Sequence, residues 1–192
     1  LMGLNSSKFR SFNTLIKNKN FLKLLTSNVS NLLNFSQNKK INSIILNYDE
    51  KSNDLFNWYQ QLVAESLGKN GKGFHPIVST MPKDNHSLMQ LYLSGPKKNF
   101  YTFFFVKGSN FKKIDRIKFA QFNATQNVFR KKKIPFRSFI INKRNEETLG
   151  ELFIFFILET LLLGKAMNIN PYNQPAVELI KTETKKILKK IK

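Results

Sequence analysis

The sequence predicts an α/β fold: three αβα layers, with a parallel sheet flanked by helices and preceded by a helical connector. Short apolar runs alternate with longer amphipathic ones along most of the 192 residues. The short runs are near-continuously apolar, as strands covered on both faces must be. Helix-length segments separate them, which is the connection parallel strands need.

Taken in order, residues 7–38 read as helical. Phe9, Phe12, Leu15 and Ile16 recur at helix spacing, as do Leu22, Leu25, Val29, Leu32 and Leu33. "INSIILNY", 41–48, is a buried strand. "NDLFNWYQQLVAESLG", 53–68, is an amphipathic helix, with Asn53 or Asp54 able to cap it and Gly68 ending it. "HPIVST", 75–80, is a second strand, and "HSLMQLYLSG", 86–95, a short helix stopped by Gly95-Pro96. "NFYTFFFV", 99–106, is the most strand-like run of all. The segment 116–133 is a helix with Phe119, Phe122, Thr125 or Gln126, and Phe129 on one face; 135–141 is another strand. Asn145 can cap the long helix that follows. Its run "LFIFFILETLLL" is too short to span a bilayer and holds Glu159, so a buried helix is expected. Pro175 suits the first turn of a last helix.

Composition narrows the chemistry. Without cysteine there is no disulfide framework, thiolate nucleophile or thiolate-bound metal. Two histidines, His75 and His86, are too few for a histidine-rich metal site, and no cofactor motif stands out. The net charge of +20 invites a nucleic-acid reading. Against it, 27 of the 32 basic residues are lysine and only five are arginine. Arginine is what base readers and phosphate forks favour. With 23 asparagines and 19 phenylalanines, the charge reads as AT-rich codon bias and a solvated lysine surface. No signal-peptide layout opens the chain, which predicts a cytoplasmic protein. A start at Leu1-Met2 hints at a piece of something longer.

The glycines of "GKNGKG", 68–73, follow a helix and precede a strand. A phosphate loop needs the reverse order, so a helix cap and connector is the better reading. Taken singly, Glu65 is a surface glutamate beside the Leu55, Tyr59 and Leu62 stripe, His86 a helix-start histidine, and Lys181 a snorkelling lysine. Lys181 lies seven residues after Gln174, about 20° short of two helical turns, so the two share a face.

Together the segments are more specific. "WYQQLVAESLGKNGKG", "HSLMQLYLSGPKKNF", "TLGELFIFF" and "GKAMNINPYNQPAVELIK" resemble, in order, the C-terminal half of the glucose-6-phosphate isomerase family, particularly its bacterial forms. The last is close to that family's C-terminal signature, with Ala176 where glycine is usual. "MPKDNHS" also departs locally from the bacterial pattern, though its histidine stands.

The resemblance implies a sugar-isomerase (SIS) domain over 39–183, a connector from a missing N-terminal domain over 1–38 and a basic tail over 184–192. It implies interconversion of glucose 6-phosphate and fructose 6-phosphate through a cis-enediol. Glu65 falls on the acid/base glutamate, His86 on the ring-opening histidine donated across a homodimer, Lys181 on the ring-opening lysine and Gln174 on a substrate-contacting glutamine. One base that removes and returns a proton is what aldose–ketose exchange needs, and apolar neighbours that raise a carboxylate's pKa help it. No metal or cofactor is implied, and no specific nucleic acid or membrane partner. The family's Ser/Thr-rich phosphate loop is not found in this sequence, so a fragment inactive alone is expected. The competing reading is a non-catalytic sugar-phosphate-binding module of the same fold.

Overall fold

The computed structural model describes residues 5–108 and 112–191. Leu1 and Met2 at the start and Lys192 in the predicted tail lie outside the described residues. Strands β1 (Asn42–Asn47), β2 (His75–Thr80), β3 (Asn99–Val106) and β4 (Phe136–Ile141) pair in parallel, in the order β2-β1-β3-β4. Around them run α1 (Ser6–Phe9), α2 (Lys19–Gln37), α3 (Asn53–Leu67), α4 (Asp84–Ser87), α5 (Met89–Ser94), α6 (Lys113–Lys131), α7 (Glu146–Ala166) and α8 (Pro175–Lys190). Short 3-10 stretches cover Arg10–Lys17 and Glu50–Ser52.

The two central strands explain the layers. Successive side chains on a strand face opposite ways. Ile45 on β1 and Phe100 and Phe104 on β3 therefore pack under α2, α3 and α7, against Leu25, Phe56, Tyr59 and Phe156. Ile44, Leu46, Tyr101, Phe103 and Phe105 face the other way, onto Tyr92 of α5 and Phe122 and Phe129 of α6. Phe103 meets the Phe122, Phe129 and Phe136 rings edge-on, with centroids 5.8, 5.2 and 5.1 Å away. Only β1 and β3 are buried on both faces; β2 and β4 are edge strands and leave Ile77 and Ile140 exposed.

Local chemistry moves some boundaries. The expected helix over 86–95 is two pieces, broken at Leu88. Asp84 starts the first piece early, its carboxylate accepting from Ser79 Oγ and Thr80 N, both at 2.8 Å, and from Ser87 Oγ at 3.0 Å. The N-cap of α3 is Ser52, because Asn53's side chain is taken by Asn47 Nδ2 at 2.8 Å. On α6, Asp115 accepts from the Lys112 N–H, so the helix begins at Lys113; it ends at Lys131, before Lys133 turns to φ +54°. Asn145 caps α7 through Thr148 N, as expected.

One polar feature lies inside the first core. Glu159, in the middle of α7, is fully buried. It accepts from Tyr59 of α3 at 2.8 Å, from Asn28 of α2 at 2.5 Å and from both terminal nitrogens of Arg137 on β4. Arg137 Nε also donates to Thr102 of β3. Burial alone pushes Arg137's pKa down; the Glu159 carboxylate and Tyr59 more than reverse it, keeping the guanidinium charged.

Candidate functional site

The helix α3 leaves the carboxyl end of β1 and runs back along the sheet. Gln60 marks its progress, donating to the carbonyl of Pro76 at the start of β2. Glu65 lies more than a turn further on, past the amino end of the sheet. It is half-buried. Gln61, one turn earlier on the same helix, donates to Glu65 Oε1 at 2.9 Å. Gln174, 109 residues further along the chain, donates to Oε2 at 2.6 Å. Two amides thus hold both oxygens of one carboxylate.

The glycine segment explains how Gln174 arrives. Gly73 has φ +106°, and a Cβ there would lie 2.6 Å from the Leu67 carbonyl oxygen, so the backbone folds tightly under the end of α3. That turn points its two lysines across to the segment after α7. Lys72 Nζ donates to Met167 O at 2.8 Å, at the negative end of α7, and Lys69 Nζ to Asn170 O at 2.6 Å. These bonds tie down the 167–173 loop, and Gln174 at its end reaches Glu65 instead of capping α8. The lysines of "GKNGKG" therefore bind backbone carbonyls, and the loop is a brace for the carboxylate site.

The other expected site residues lie apart. Lys181 is exposed on α8, its ammonium on Glu178 Oε1 at 2.6 Å. The helix α8 buries no residue of its own, and Ala176 sits in its first turn. His86 is exposed on α4, just past the carboxyl end of β2. A six-residue strand is about 20 Å long, so His86 and Glu65 stand at opposite ends of the sheet within one chain. Sequence reasoning misses Gln61; its four-residue offset from Glu65 is the signal that could have found it.

A cavity of about 570 Å³ lies elsewhere, at the carboxyl ends of β3 and β4 beside the start of α7. Leu55, Phe104, Ile141, Leu149 and Phe153 give it an apolar wall, and Lys51, Arg144 and Asn145 are among the polar side chains beside them. Glu65 does not line it, and the candidate site stays with the carboxylate. Among the described residues, no group of three or more metal-ligating side chains gathers. No helix among them is long and apolar enough to cross a membrane.

The chain is thus a parallel αβα domain with an amide-held carboxylate past the amino end of its sheet. No family model matches the sequence. The chain is 32% identical to glucose-6-phosphate isomerase of Methanocaldococcus jannaschii, over 97% of this chain and 50% of that protein. It is 33% identical to the probable glucose-6-phosphate isomerase of Methanococcus maripaludis, over 80% of this chain and 38% of that one. Among solved structures, a hypothetical protein from Thermus thermophilus shares the fold with a TM-score of 0.81 at 21% identity, over 95% of this chain and 49% of that one. A glucose-6-phosphate isomerase from Chlamydia trachomatis does so with 0.70 at 16% identity, over 78% and 35%. The chain belongs to the glucose-6-phosphate isomerase family. It spans about half the length of the curated relatives it matches.

Proposed function

We propose that this chain carries the acid/base half of an aldose–ketose isomerase that interconverts glucose 6-phosphate and fructose 6-phosphate. The observation that carries the reading is the Glu65 carboxylate, held at both oxygens by Gln61 and Gln174. Glu65 takes the proton from C2 of the open-chain aldose while O1 gains one, giving a cis-enediol, and then returns its proton to C1 as O2 loses its own. Gln174 keeps the carboxylate oriented and meets the substrate. Lys181, about 10 Å along α8 from Gln174, steadies negative charge at the ring oxygen once α8 is packed in the assembled protein. His86 serves ring opening in a second protomer's site, which its distance from Glu65 within one chain supports. The enzyme works as a homodimer in the cytoplasm, with its phosphate grip supplied by sequence outside this SIS domain.

The test joins this chain to the N-terminal half of the Methanocaldococcus jannaschii isomerase and follows fructose 6-phosphate turnover with a coupled dehydrogenase. Turnover is expected, falling about 100-fold or more in Glu65→Gln, the scale of a lost general base. Ligand-dependent stabilisation with no turnover supports a binding module instead. Unchanged turnover in Glu65→Gln removes the residue from the mechanism.

A further inference from the structure

We propose that the amino end of the sheet, on the α5 and α6 face, carries a second binding site, for a small molecule bearing two or more phosphate groups. Glu65 lies on the other face, and the proposal does not depend on the isomerase reading. A cavity of about 510 Å³ opens here, a volume suited to a small ligand. Three turns supply its walls: one after α2 with Lys40, one after α5 with Lys97 and one after α6 with Lys132 and Lys133. Four lysines thus line one hollow, and among the described residues no aspartate or glutamate does.

Among the described residues, none of these four lysines has a carboxylate partner. Lys40 Nζ donates to the Lys97 carbonyl at 2.9 Å, which keeps its charge at the rim. Four like charges around a concave surface repel one another and raise the local concentration of anions. A polar floor is already ordered beneath them. Asn42 donates to Asn99 at 2.7 Å, Asn99 to the Tyr101 hydroxyl at 3.0 Å, and that hydroxyl to the Tyr92 carbonyl at 3.2 Å. Lys133 takes the left-handed φ of +54° that follows the end of α6, as Lys39 and Asn168 do after α2 and α7, and glycine fits such a position easily. A concave hollow of this size favours a compact polyanion over a nucleic-acid strand, which needs a long groove to track its backbone.

The experiment is calorimetric titration of the whole chain with inorganic pyrophosphate at about 0.15 M salt. Binding at one site per chain is expected. Lys97→Gln with Lys133→Gly weakens it about tenfold or more, because two charge-assisted contacts are lost. Glycine suits the backbone at 133, so the melting temperature holds or rises, which separates lost affinity from lost fold. A control with the same charge change, Lys185→Gln with Lys189→Gln on the exposed α8, leaves affinity within about twofold. Equal weakening in both variants overturns the proposal, as does an absence of saturable binding. So does an oligonucleotide that displaces pyrophosphate with a steep salt dependence, which would make the patch a nucleic-acid surface.

Discussion

Replacing Glu159 by glutamine keeps the shape of the side chain and removes its charge. In the native protein this buried carboxylate accepts from Tyr59, Asn28 and both terminal nitrogens of Arg137. A glutamine presents one oxygen and one NH₂ to a ring of groups that are all donors. At least two charge-assisted bonds are lost, each contributing about 1.5–3 kcal/mol. The guanidinium is left without its counter-charge, its side chain only 16% exposed. A loss of about 3–5 kcal/mol follows, the scale seen when one partner of a buried pair is removed. For a domain of this size that is a fall of about 10 °C in Tm. Trp58, the single tryptophan, packs edge-on against Phe153 of α7 at 4.3 Å and reports unfolding in urea by fluorescence. The companion variant, Glu159→Leu with Arg137→Met, recovers much of the loss because both charges leave together. A destabilisation under about 1 kcal/mol in Glu159→Gln, or a double variant as unstable as the single, would refute this reasoning.

Two further outcomes follow from the same geometry. Gly73→Ala places a Cβ 2.6 Å from the Leu67 carbonyl oxygen at a left-handed φ, and is expected to lower stability by about 1–3 kcal/mol in the same urea assay; an unchanged midpoint contradicts the brace described for the 68–73 turn. Burial pushes the hydroxyls of Tyr48, Tyr59, Tyr92 and Tyr101 up, Tyr48 to about 12. Their neutral forms are favoured in the folded state, so this stability is complete below the unfolded tyrosine value of about 10 and is lost as pH rises towards 12. The chain has five tyrosines, the fifth being the exposed Tyr172, and absorbance at the tyrosinate band should therefore show these four ionising only with unfolding; ionisation of two or more tyrosines near pH 10 with the fold intact contradicts it.

The central sheet was legible because β1 and β3 are buried on both faces and their apolar runs are unbroken. The edge strands β2 and β4 follow the same reading, although Ile77 and Ile140 face solvent. Asn145 was legible as a cap because capping is local. Ser52 was not, since Asn53 is diverted by Asn47, a contact made by the fold of the β1–α3 turn. Arg137 with Glu159 was illegible for a related reason: the partners come from α2, α3, β4 and α7, and no periodicity announces a pairing across four elements. At the candidate site, Glu65, His86, Lys181 and Gln174 were reached through resemblance. The fold then brings Glu65 and Gln174 into contact, adds Gln61, and leaves His86 and Lys181 apart within one chain.

Hydrogen exchange at the substrate carbons bears most directly on Glu65 as the proton carrier. In deuterated buffer, with the chain joined to its relative's N-terminal half, NMR should show deuterium entering fructose 6-phosphate at C1 as turnover proceeds. The account predicts that Glu65→Gln abolishes this incorporation while still binding the sugar phosphate. Continued incorporation at the native rate in that variant would contradict it.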